Sequence, residues 1–297
     1  MHWASCISAL AVTSVIATPS RTRHIARQDD GTELSITDEE LEITNDVDGN
    51  ITTWANFWGW TDCSDGQKDA VKRGLAEANR VLQTPGVSQI DKHWNDYATV
   101  EYLGSPWYHK EQHGRELIKT SLDKARTYRQ HWYQAADTDI ICRADGHDDC
   151  KNEASFIAVN NDLKGNEGIA LSFCQRYFSM GTLLHIYQEA SQGGQKHDLS
   201  QYDNRGRAWI TAIMRIKWIA GLTAPTVTFP GYSDGKAESA SQAKYVAKNY
   251  PVTDPAKYAI RNPSSYAWYA MAQWVRKKSG NYPHQPQTPV DLAPAWQ

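Results

Sequence analysis

The chain lacks a basic excess: 31 Lys and Arg stand against 34 Asp and Glu, a net charge of −3. That argues against an electrostatic nucleic-acid binder, for which a basic face is expected. Beyond its N-terminus it lacks any run of about 20 apolar residues, so no membrane-spanning helix and no membrane partner are expected. It has no Gly-x-Ser-x-Gly elbow and no glycine-rich phosphate cradle, which removes two common catalytic schemes. No internal repeat occurs. Glycosylation signals are scarce as well. Asn50-Ile-Thr52 is the single usable sequon, because Pro263 blocks Asn262-Pro-Ser.

Cysteine is sparse, with five in 297 residues. Trp3 to Ala17 is short and apolar and ends in Val15-Ile-Ala17, the small-residue pattern of a secretory signal, so residues 1–17 are expected to be removed and the protein secreted. Cys6 leaves with that segment. Cys63, Cys142, Cys150 and Cys174 remain, and their number suits two disulfides in an oxidising compartment, with three pairings open. The His147 segment between Cys142 and Cys150, with its three Asp, reads as a solvated loop rather than a metal site.

Residues 18–51 open basic (Arg21, Arg23, Arg27) and turn acidic from Asp29 to Asp48, the composition of a pro-segment or disordered arm. The folded domain is expected over 52–278, followed by a Pro-rich tail at 279–297. Its 40% hydrophobic content, with 12 Trp and 15 Tyr, supplies a core rich in aromatic rings. Ser64-Asp-Gly-Gln67 is a capping box opening a helix to about Leu82. Apolar spacing predicts further helices over 110–133, 180–191, 207–222, 239–248 and 266–277. Two short strands are expected at 155–159 and 168–173. The fold class is therefore α+β, mainly helical with a small sheet.

The most informative stretch is Gly181-Thr-Leu-Leu-His185-Ile-Tyr-Gln-Glu189. Zinc peptidases place His-Glu-x-x-His on one helix, so that two His four residues apart face one way and the Glu activates the metal-bound water. Here the first His is His185, the base position is Ile186, and the second His is Glu189. An imidazole and a carboxylate at this spacing can share a metal ion, but Ile186 cannot accept a proton.

With these elements in order, the chain resembles the fungal deuterolysin and peptidyl-Lys metalloendopeptidase family, the aspzincins. The resemblance is carried by Asp62-Cys-Ser64, by the cysteine order with Cys150 and Cys174 bracketing the two strands, by Thr182-Leu-Leu-His185, and by Asn262-Pro-Ser-Ser-Tyr266. The family's third ligand, an Asp in Gly-Thr-x-Asp-x-x-Tyr-Gly, has its nearest counterpart in Gly231-Tyr-Ser-Asp234, beyond a long insertion at 196–230. The resemblance implies a zincin-like fold, bridges Cys63–Cys142 and Cys150–Cys174, and zinc held by His185 and Asp234 with Glu189 in the second ligand's place. It carries over no general base. The leading expectation is a secreted monomer that is non-catalytic or only weakly catalytic and acts by binding a metal, a peptide, or a host or cell-wall component. The alternatives are a zinc endopeptidase using His185, Glu189 and Asp234, and a carbohydrate- or cell-wall-binding protein working through aromatic clusters such as Trp54 to Trp60.

Overall fold

The computed structural model describes residues 24–27, 33–35, 58–104, 112–128, 138–144, 146–151, 156–161, 169–224, 226–227, 235–249 and 258–286. The chain divides into two compact units, Met1–Leu41 and Glu42–Gln297. The first contains one antiparallel pair, β1 (His24–Arg27) and β2 (Glu33–Ser35). The expected signal segment, Asn50, the Trp54–Phe57 stretch and Asp234 all lie outside the described residues.

The second unit runs β3 (Trp58–Thr61), α1 (Asp65–Leu82), α2 (Pro85–Ser88), α3 (Tyr97–Tyr102), α4 (Gln112–Arg126) and β4 (Thr138–Arg143). There follow β5 (Ile157–Asn160), β6 (Ile169–Cys174), α5 (Gln175–Ser179), α6 (Leu183–Gln192), α7 (Arg205–Arg215), β7 (Thr226–Val227), β8 (Gly235–Lys236), α8 (Ala240–Asn249) and α9 (Pro263–Ser279). The α+β, mainly helical expectation holds. Among the described residues no helix is long and apolar enough to cross a membrane.

The sheet is larger than the two strands read from sequence: four strands in the order β3-β4-β6-β5. β3, β4 and β6 run parallel, and β5 is antiparallel to β6. β6 is buried along its whole length, as an apolar strand covered on both faces should be. Two disulfides staple this sheet, Cys63–Cys142 joining the chain after β3 to β4, and Cys150–Cys174 joining the chain after β4 to the end of β6. These are the bridges the resemblance implies. Beside the first staple, Trp60 and Asp62 sit at positive φ (45° and 59°), a conformation uncommon outside glycine.

The helices form for local reasons. Ser64 caps α1 by accepting from the Gln67 N–H while the Gln67 side chain accepts from the Ser64 N–H. Asn262 caps α9, Pro263 occupies its first turn, and Gly280 ends it at φ 73°. The core is built around α7, whose face Trp209, Ile210, Ile213 and Met214 is fully buried. The Trp209 indole N–H donates to the Val71 carbonyl of α1 at 2.9 Å. The segment 196–230, an insertion in terms of the resemblance, thus carries the central helix of the domain. The first part of the Pro-rich tail is docked as well: the Gln285 N–H donates to the His197 carbonyl and the Leu199 N–H to the Gln285 carbonyl, both at 2.8 Å.

Each staple constrains the unfolded chain according to the loop it closes. With separations of 79 and 24 residues, removing Cys63–Cys142 should cost about 4.5 kcal/mol and removing Cys150–Cys174 about 3.5 kcal/mol. Denaturant unfolding of the two paired Cys→Ala variants checks both the size and the order. A second expectation concerns alkali. Burial pushes the hydroxyls of Tyr177, Tyr266, Tyr269 and Tyr282 above their ordinary value. Because these folded values are raised, the stabilisation is fully present below about pH 10 and is lost as pH climbs past it, by about 1.4 kcal/mol per pH unit for each tyrosine that ionises on unfolding. Unfolding midpoints measured from pH 8 to 11.5 should be flat and then fall.

Candidate functional site

α6 starts where Thr182 accepts a hydrogen bond from the His185 N–H at 3.4 Å, so the Thr of the Thr-Leu-Leu-His stretch is the helix N-cap. The helix then sorts its side chains by the 3.6-residue period. Leu183, Leu184 and Ala190 are buried, and Ile186 and Tyr187 pack partly buried against the core. Tyr187 meets Trp274 edge-on with ring centroids 5.3 Å apart. His185, Gln188 and Glu189 face solvent.

His185 Nε2 and Glu189 Oε1 lie 3.3 Å apart, with their side chains 61% and 63% exposed. The spacing therefore does bring the imidazole and the carboxylate together. The general-base position behaves differently. A Cβ on Gly181 would stand 2.7 Å from Ile186 Cγ1 and Cδ1, so the bare backbone of Gly181 is what receives the Ile186 side chain. Position 186 holds hydrocarbon pressed on backbone, with nothing there to take a proton. Among the described residues no group of three or more His, Cys, Asp or Glu is gathered as a metal would require. The third proposed ligand, Asp234, is outside them and immediately precedes β8.

The pair suits one edge of a zinc site. Two ligands each about 2.0–2.1 Å from a tetrahedral ion stand about 3.3 Å apart, which is the separation seen. The same distance also serves an ordinary surface ion pair between residues four apart.

The His147 loop has become a polar clasp beside the disulfides. Asp149 accepts from the Ser172 hydroxyl at 3.0 Å and lies 3.9 Å from Arg143, which also reaches Asp62 at 3.7 Å. His147 is occupied locally, its Nδ1 accepting from the Asp149 N–H at 3.3 Å. Trp60, part of the aromatic cluster considered for ligand binding, is partly buried with the Lys72 ammonium 5.7 Å from its ring.

Two charged arrangements escaped the sequence reading. Lys244 of α8 is 2% exposed, with its ammonium 2.9 Å from Glu101 and donating to the His284 carbonyl at 2.6 Å. Tyr282 donates to the same Glu101 carboxylate at 2.5 Å. Burial, then the neighbouring Tyr102 and Glu101, hold that phenol far above its ordinary value. The second arrangement lies on α7. Arg207 is 3% exposed and gripped by Asp203 through Nε at 2.8 Å and Nη2 at 3.0 Å. Arg215, two turns on, pairs with Glu238 at 3.0 Å. The i, i+4, i+8 spacing of Arg207, Thr211 and Arg215 was the available signal. It is hidden in sequence because their carboxylate partners lie outside the helix.

Comparison with protein-family models gives no match, and comparison with curated proteins gives none either. The functional reading therefore rests on the residues themselves.

Because His185 and Glu189 are exposed and Ile186 is packed, substitution should separate them. His185→Ala and Glu189→Ala should stay within about 0.5 kcal/mol of wild type. Ile186→Ala should cost about 1–3 kcal/mol. Equilibrium urea unfolding of the three variants reads this directly.

Proposed function

We propose that this is a secreted, disulfide-stapled relative of the fungal metalloendopeptidases that binds without cutting. One observation carries the reading. Ile186 stands where active members of the resembled family place the base, and it is seated against Gly181 rather than turned to solvent. The two disulfides fit a secreted domain and match the pairing that the resemblance implies.

His185 and Glu189 would hold one edge of a zinc ion, with Asp234 as the proposed third ligand. Bound zinc would act as a Lewis acid and lower the pKa of its water. With no proton acceptor at 186, hydrolysis lacks a contribution of about 10²–10⁴-fold. What the site retains is affinity: an exposed imidazole and carboxylate able to take a divalent ion or a ligand that carries one. A peptide, or a host or cell-wall component, is the proposed class of partner.

A second reading, binding of carbohydrate or cell wall through aromatic rings, is favoured by Tyr97. It is 66% exposed and stacked on Tyr282 with centroids 5.8 Å apart, the flat presentation that a sugar ring can meet.

Elemental analysis of the secreted chain and of His185→Ala, alongside a casein-cleavage assay, tests the first reading. The expected result is about one zinc per chain in wild type, none in the variant, and no chelator-sensitive cleavage in either. Cleavage abolished by His185→Ala would overturn it in favour of an endopeptidase. No metal in either protein, with retention on a glycan matrix lost in Tyr97→Ala, would favour the second reading.

A further inference from the structure

Past Gly280 the chain forms a strap, Asn281 to Pro286, held mainly by main-chain bonds. The Lys244 ammonium of α8 donates to the His284 carbonyl at 2.6 Å and to the Pro286 carbonyl at 3.3 Å. Gln285 pairs through both its N–H and its carbonyl with the segment 197–199, in parallel register. The side chains of His284 and Gln285 are exposed, so these bonds grip backbone whatever residues carry it. Selectivity sits at one end. The Tyr282 ring, 9% exposed, stacks on Tyr97 of α3, its hydroxyl donates to Glu101 at 2.5 Å, and Pro283 beside it is buried.

Main-chain pairing with an added strand, plus a pocket for a chosen side chain, is how extended peptides are recognised in trans. The seat beneath the strap is built for such use. A buried ion pair adds little net stability over an apolar contact of the same shape, so Lys244 and Glu101, 2.9 Å apart, are not required simply to hold the strap down. What they give is a seat that hydrates when vacated instead of baring an apolar patch. The Tyr102 hydroxyl, fully buried next to Glu101, has no hydrogen-bond partner among the described residues. Water or a ligand removes that deficit once the strap leaves.

We propose that this seat is a peptide-binding groove, filled in the closed state by the chain's own strap, and that its partner is an extended peptide of the same chemistry. A tyrosine followed by proline enters between Tyr97 and Glu101, and the carbonyls two and four residues after the tyrosine meet Lys244. The strap is the resident competitor. Its short tether gives it an effective concentration in the millimolar range, which keeps weak ligands out. Neither His185 nor Glu189 belongs to the groove, so the inference stands apart from the metal reading.

Fluorescence anisotropy of a labelled synthetic peptide, Asn281-Tyr-Pro-His-Gln-Pro286, tests it against the full chain. Tyr282→Ala in the protein loosens the strap without altering the seat, so the peptide should bind that variant at least about tenfold more tightly than wild type. The same peptide carrying Tyr282→Phe lacks the hydroxyl that Glu101 receives and should bind the variant about tenfold more weakly. Adding Lys244→Met to Tyr282→Ala should abolish binding. If that double variant fails to fold, the Phe peptide on the single variant still decides the matter. His185→Ala should change nothing. No binding to the Tyr282→Ala chain, equal binding of the Phe peptide, or binding that survives Lys244→Met would each overturn the proposal. A wild-type dimer in light scattering, with no peptide binding to any variant, would overturn it in favour of strap exchange between copies.

Discussion

The close seating of α7 on α1 is the contact on which the rest of the domain depends. It is possible because each helix offers a glycine to the other. A Cβ on Gly206 would lie 3.0 Å from Glu77 Cβ and 3.1 Å from the Ala78 nitrogen of α1. One on Gly74 would drive into the Tyr177 hydroxyl and come within 2.8 Å of Trp209 Cδ1. With both side chains absent, the Trp209 indole lies flush against α1 and reaches the Val71 carbonyl, while Phe173 of β6 packs on its other side with centroids 5.1 Å apart. Interiors at crystal-like density do not yield to an added methyl without strain.

That seating also orients the motif helix. The first turn of α7 reaches back to the motif helix: the Arg205 guanidinium donates to the Phe178 carbonyl at 2.8 Å, and the Arg205 N–H to the Gly181 carbonyl at 3.3 Å. The start of α6 is thereby held, with its Thr182 cap, in a rotation that turns Leu183, Leu184 and Ile186 inward and His185 and Glu189 outward. An isoleucine at 186 agrees with that rotation, since it adds to the core at a place where a carboxylate would be partly desolvated without a partner. The same placement of α7 lines up Arg207, Thr211 and Arg215 on one face of the helix, where Asp203 and Glu238 pair with the two arginines. Structure here converts one pair of small residues into two separately oriented polar faces.

How much of this the sequence displayed varied with how local the cause is. The α1 start was legible because a capping box is a matter of four residues, and Ser64 and Gln67 make both of its bonds. The two apolar stretches after Cys150 were legible as strands, within one or two residues of β5 and β6. β4 was missed although its burial alternates strictly, because the polar Thr138, Asp139 and Arg143 dilute the pattern. β3 was missed because Trp-Gly-Trp-Thr bends through positive φ at Gly59 and Trp60 and carries no period. The helix expected to run to Leu222 stops at Arg215, since the chain turns back so that the Leu222 N–H meets the Met214 carbonyl at 2.9 Å, through Gly221 at φ 60°. At the candidate site, the His185–Glu189 proximity followed from spacing alone. The fate of Ile186 did not, because it depends on Gly181 and on the distant helix that holds it. The Lys244–Glu101–Tyr282 cluster joins residues far apart in the chain, so no window of sequence contains it.

The central proposal is that His185 and Glu189 of α6 can share a metal ion while position 186, the family's base position, holds an isoleucine. The most direct measurement is anomalous scattering from zinc-soaked crystals of the secreted protein. The account predicts a peak bridging His185 Nε2 and Glu189 Oε1 at about 2.0–2.2 Å, with no carboxylate other than the ligands within hydrogen-bonding reach of the open coordination position. A peak elsewhere, or a further Asp or Glu aimed at the metal's free position, would contradict it.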